Sequence, residues 1–154
     1  VSALDHYIHE AIRQGMLEVY HGHRPQTQAY LRFQVSLESV LQGISTPSGS
    51  GWLEDQIRER HGYQSFQHPD KIASAVRLVS DAELWNEVSN RLGLPSQDVK
   101  DRLKVIINRR NQIAHEADMI PSYPNSRWPI TDAQVDDAID FMKQLAEAVY
   151  DVIS

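Results

Sequence analysis

The chain has 154 residues, the size of one domain that can bury a single core without covalent staples. It contains no cysteine, which excludes a disulfide framework and thiolate zinc or iron–sulfur centres and leaves imidazole and carboxylate as metal ligands. A net charge of −6 argues against coating nucleic acid by bulk electrostatics, and no run approaches the ~20 apolar residues of a membrane span.

The opening VSALDHYIHE lacks the basic start and apolar core of an export signal, so the cytoplasm is the expected compartment. Leu4, Ile8, Ala11, Ile12, Gly15 and Val19 recur with helical period and predict a first helix that breaks at HGHRP. Tyr30, Phe33, Leu37, Val40 and Leu41 repeat that period and predict a second, closed by ISTPSGSG. A short helix is expected from about Trp52 to Arg60, then an irregular stretch HGYQSFQHP, then another short helix from about Asp70.

Ser80 with Glu83 reads as a capping box opening a helix through Leu84, Trp85, Val88 and Leu92, which GLP ends. Ser96 caps the next helix, whose apolar seam is Val99, Leu103, Ile106 and Ile107. ADMIPSYPNSRWPI carries three prolines and predicts a loop leaving that helix at or just beyond His115. Thr131 with Gln134 is a second capping box, and Val135, Ala138, Ile139, Met142, Leu145, Val149, Val152 and Ile153 line one face of the last helix. No alternating strand pair or internal repeat appears. The expected fold is one all-α domain over 1–154, a bundle of four or five longer helices plus short ones.

Charge is unevenly distributed: Lys100, Arg102, Lys104, Arg109 and Arg110 cluster against Asp101, whereas the segment after Thr131 is acidic. A local basic site on an acidic body can hold a phosphate. At about 100° per residue, with Val99 at zero, Arg110 falls near +20°, in the middle of the apolar seam. Asn111 and His115, one turn apart, fall on one flank near about +120° and +160°, and Arg109 lies on the other near about −80°. A lone buried guanidinium costs several kcal/mol, so Arg110 needs a partner. One reading makes it a structural arginine paired with a carboxylate such as Asp5 or one from the acidic last helix. The other extends the seam onto a partner surface, with Arg110 and His115 lining a cleft there.

The string Arg110-Asn111-Gln112-Ile113-Ala114-His115 resembles the Arg-x4-6-His signature of HEPN domains, placed late in an all-α domain before a loop and a final amphipathic helix. RPQTQAYLRFQVSLE, WLEDQIRERHGYQSFQHPDK and RRNQIAHEAD further resemble the bacterial RiboL-PSP-HEPN branch across the whole chain. That resemblance implies a HEPN-like bundle and a metal-independent endoribonuclease without cofactor. Two protomers would pack motif helix against motif helix around one composite cleft, so a homodimer and an RNA substrate are implied, with no membrane role. It also suggests phage defence or a toxin system, with a regulatory partner of unknown kind.

Cleaving RNA through its 2′-OH requires two proton transfers and stabilisation of a phosphorane dianion. Histidine, with an ordinary pKa near 6.5, suits either transfer, so His115 is the expected acid or base. Arg110 would grip the phosphate through its fork, and Asn111 would orient imidazole or phosphate. Arg109 also fits the spacing to His115, and with Trp128 and Tyr123 in the following loop it is a candidate substrate contact. Asp5 and His9, one turn apart on the first helix, are expected to support. HEPN toxins silenced by a nucleotidyltransferase partner carry His-x-Tyr, whereas this chain has Ala117 at that place, which argues against such control. His21 and His23 read as a solvated turn rather than a metal clip, and no metal is expected. Tyr63, Phe66, His61 and His68 read as a packed irregular loop, with stacking of RNA bases as the functional alternative. The rival readings of the whole chain are a non-catalytic HEPN module that binds nucleotide or RNA and regulates a partner, and a helical protein–protein adaptor.

Overall fold

The computed structural model describes the chain except for residues 47–48, 116–118 and 121–122, and for 119–120 and 123–127 it describes the backbone only. Ala117 therefore lies outside the described residues, as does the side chain of Tyr123. The described residues form eight helices and one short ribbon: α1 Ser2–Tyr20, α2 Gln28–Leu31, α3 Leu37–Ser45, α4 Gly51–His61, α5 Pro69–Val76, α6 Leu84–Leu92, α7 Ser96–His115, β1 Met119–Ile120, β2 Tyr123–Arg127 and α8 Asp132–Ile153. The fold is all-α, with α1, α7 and α8 as its long elements.

α1 is the central rod, because its period places Ile8, Ile12 and Met16 on one fully buried stripe. It packs on α4, α5 and α8. A Cβ built at Gly15 would stand 2.8 Å from a Val79 methyl, so glycine lets α1 approach the chain after α5. Val99 and Leu103 bring α7 into the same core, and Leu145 and Val149 bring α8. The Thr131–Gln134 capping box is present and starts α8. Gly93, at φ 64°, closes α6 in the left-handed conformation that glycine adopts without steric cost.

Three local expectations change. The second helix is two helices, because two residues compete to start one. The Thr27 hydroxyl accepts from the Tyr30 N–H and donates to the Arg77 carbonyl at 2.7 Å, while the Ser36 hydroxyl accepts from the Ser39 N–H. Phe33 and Val35, in the break between them, pack against the core, and Leu37, Leu41 and Ile44 of α3 are left exposed. Ser80 and Glu83 form no box: the Ser80 hydroxyl accepts from the Ala82 N–H, and α6 begins only at Leu84. The proline-rich loop contains the antiparallel ribbon β1–β2, which its sequence pattern did not announce.

α7 packs on α5 and α6, whereas α8 packs on α6 and α1. The two long helices thus rest on shared supports and leave a groove of about 770 Å³ bounded by α1, α7, α8 and the chain at Pro129 and Ile130.

Candidate active site

Ile106, Arg110 and Ile113 of α7 line one side of the groove, Leu4 and Tyr7 of α1 a second, and Ala138, Ile139 and Met142 of α8 a third. Val105, Ile113, Ile130, Val135 and Ile139 are exposed along it. An apolar strip of this kind is unusual on a surface that faces only water. Arg110 therefore emerges from the seam of α7 into a largely apolar groove, as its rotation about the helix predicted.

The partner of Arg110 is an amide, not an acid. Its Nη2 donates to Oε1 of Gln67, and among the described residues it forms no ion pair. Asp5 and three of the α8 acids that could have neutralised it are engaged elsewhere. Asp137 binds Arg102 at 2.6 Å, Asp151 pairs with Arg91, and Asp140 lies 3.9 Å from Lys143. Arg102 also lies over the Phe141 ring, 4.6 Å from its centroid, which fixes the guanidinium against α8. Asp5 accepts from the Phe66 N–H at 2.5 Å, the Ser65 hydroxyl at 3.5 Å and the Gln67 Nε2 at 3.3 Å. Among the described residues, Gln67 thus links Asp5 to Arg110 by hydrogen bonds.

His9 Nε2 lies 3.9 Å from Asp5 Oδ1 and 3.2 Å from the Gln64 carbonyl, to which it donates, while its ring stacks on Phe66 at 4.4 Å. Asp5 and His9 together tie residues 64–67 to α1. Two buried polar atoms of groove residues, the Tyr7 hydroxyl and Arg110 Nε, have no hydrogen-bond partner among the described residues. Leaving such a donor unmet costs about 1–3 kcal/mol.

The remaining candidates scatter around this point. His115 is exposed on the last turn of α7, five residues beyond Arg110, which is about 7 Å along the axis and about 140° around it. Within one chain the two therefore point apart. Asn111 is half-buried. Arg109 donates to the carbonyls of Trp128 at 3.0 Å and Pro129 at 3.4 Å, so it anchors the return from the ribbon, and the Trp128 side chain is exposed. His21 and His23 face each other at 6.1 Å on an exposed turn, and among the described residues no three metal-ligating side chains gather.

Of the four aromatic and histidine candidates in HGYQSFQHP, Tyr63 and His68 are exposed, whereas Phe66 and His61 are buried and unable to stack on bases. Phe33 and Phe66 stand edge-on to the His61 ring at 5.7 and 5.2 Å. Burial, and secondarily the neighbouring His9, pushes the His61 pKa down to about 4. The unfolded chain, with an ordinary histidine near 6.5, therefore takes up this proton first. Stability present above pH 6.5 is lost as the pH falls towards 4, by about 3 kcal/mol in all. Urea unfolding at pH 7 and pH 4.5 should show that loss in the wild type and much less of it in His61→Phe. Equal acid sensitivity of the two proteins would refute the assignment to His61.

Gln67 is the contact that sequence reasoning missed. Its partnership with Arg110 spans 43 positions, and nothing in the local pattern around it marks it.

An all-helical bundle with an Arg-x4-6-His helix bordering an open groove defines a HEPN-type domain. The RiboL-PSP-HEPN family model matches residues 1–154, and the chain belongs to that family. No curated protein and no solved structure matches the chain. HEPN domains are of ribonuclease or nucleotide-binding type, and family membership places this chain at that level. Among the described residues no helix is long and apolar enough to cross a membrane.

Proposed function

We propose that the protein is a metal-independent endoribonuclease acting on single-stranded RNA, with a composite site formed when two copies pack across the groove. The observation that carries this reading is Arg110, a guanidinium held at an apolar groove by a neutral amide, so that its charge stays available to a phosphate. A purely structural arginine at this place would be expected to end on a carboxylate, as Arg102 does on Asp137.

In the reaction the ribose 2′-OH loses a proton and its oxygen attacks the adjacent phosphorus. The bond to the 5′ oxygen breaks, and that oxygen takes a proton as it departs, leaving a 2′,3′-cyclic phosphate. His115 serves the proton transfers at each arginine–histidine pair of the shared cleft. Arg110 binds the phosphate and stabilises the charge that grows on it, with Asn111 orienting its neighbours. Arg109, Trp128 and Tyr123, at or beside the loop, contact the flanking RNA, and Asp5 and His9 support. The divergence of Arg110 and His115 within one chain favours a site shared about a twofold axis.

Incubating the purified protein with end-labelled single-stranded RNA in excess chelator should give fragments ending in 2′,3′-cyclic phosphate. Absence of cleavage across varied RNAs, combined with tight nucleotide binding, would instead establish the non-catalytic module.

A further inference from the structure

We propose that Gln67 is the positioning residue of this site, an amide that aims the Arg110 guanidinium while leaving its charge uncompensated. The proposal rests on the ribonuclease reading for its consequence in catalysis, though not for its geometry.

An amide can present either its oxygen or its nitrogen, and here the choice is made by Asp5. An ionised carboxylate only accepts, and Asp5 accepts from Gln67 Nε2 at 3.3 Å, so Gln67 must turn Oε1 towards Arg110. Asp5 is held in turn by the Phe66 N–H and the Ser65 hydroxyl, and His9 secures the Gln64 carbonyl. The loop carrying Gln67 is thereby pinned at successive residues to one turn of α1.

The chemistry of the acceptor matters as much as its place. A carboxylate at this position would orient Arg110 equally well but neutralise it, and a phosphate would have to compete with an ion pair already made. A carboxamide of the same size supplies direction without charge. The arrangement also separates the acid from the arginine, so that Asp5 contributes rigidity without meeting Arg110 in a salt bridge.

The full-length protein labelled with 15N-arginine provides the test, with the Arg110 Nε–Hε signal assigned by its loss in Arg110→Lys. In Gln67→Met the Arg110 side chain should lose its order and kcat should fall about 10²-fold with KM little changed, because a misplaced group loses the aligned geometry rather than the binding. In the equal-sized Gln67→Glu the side chain should stay ordered. Its affinity for a 2′-O-methyl oligoribonucleotide, which cannot be cleaved, should drop about tenfold as the new carboxylate competes with phosphate. Unchanged Arg110 order in Gln67→Met, or lost order with kcat within about twofold of wild type, overturns the proposal. Should the wild type cleave no RNA, the ribonuclease reading fails alone, and side-chain order with oligonucleotide affinity still decides the role of Gln67. If Gln67→Met does not fold, Gln67→Glu carries the test: weakened affinity supports the proposal and wild-type affinity overturns it.

Discussion

Alanine at His115 or at Arg110 is expected to lower RNA cleavage by about 10³-fold or more, since each removes a function the other cannot replace. His115→Ala removes a proton-transfer group from an exposed position at the end of α7, so the fold and RNA affinity should be nearly unaffected. Arg110→Ala should lower both kcat and affinity, because the guanidinium meets the phosphate before and during the reaction. A more specific result follows from the roughly 140° between the two side chains. If arginine and histidine in one site come from different copies, mixing the two inactive variants creates a mixed dimer with one intact pair. Activity should then reappear on mixing and disappear when either variant is kept alone. Single-turnover cleavage in chelator, with the proteins mixed at several ratios, measures it. Full activity of His115→Ala would remove the proposed chemistry outright, and failure of the mixture to recover would place arginine and histidine of one site in the same copy.

The parts of the fold legible in the sequence are those whose stabilisation is local. α7 and α8 are long, strongly periodic and, for α8, opened by a capping box whose two members lie three residues apart. The break between α2 and α3 was hidden because Thr27 and Ser36 cap separate helices only with help from afar. Thr27 is buried against the Arg77 carbonyl, and the Ser36 N–H donates to Gln56 at 2.8 Å. Periodicity alone places Leu37 and Leu41 on one helix with Tyr30 and Phe33, although both leucines are exposed on a separate helix. The site divides in the same way. The emergence of Arg110 from the seam is a matter of helical rotation and could be read from spacing. Its amide partner is a matter of tertiary approach, brought by a loop that α1 holds in place, and no helical or capping rule connects Gln67 to Arg110. The acids of α8 were visible as a run, but not their engagement by Arg91, Arg102 and Lys143.

The second large effect concerns the groove itself. Ile139→Asp is expected to leave the monomer folded, because Ile139 is 47% exposed in the single chain, and to weaken self-association by about 10²-fold or more. The argument is one of desolvation. If a second copy covers Val105, Ile113, Val135 and Ile139, a carboxylate introduced among them loses its water, a cost that pairing with Lys143, four residues on along α8, offsets only in part. RNA cleavage should fall in parallel with the dimer, since the proposed site exists only where two copies meet. Leu41→Asp supplies the contrast. It places the same charge on the exposed apolar face of α3, outside the residues that line the groove, and should leave both association and cleavage unchanged. Sedimentation velocity at tens of micromolar reads the association of all three proteins. A wild type that sediments as a monomer would remove the shared site, and loss of the dimer in Leu41→Asp with its retention in Ile139→Asp would move the interface to α3. Arg110 would then face a groove that no second copy covers.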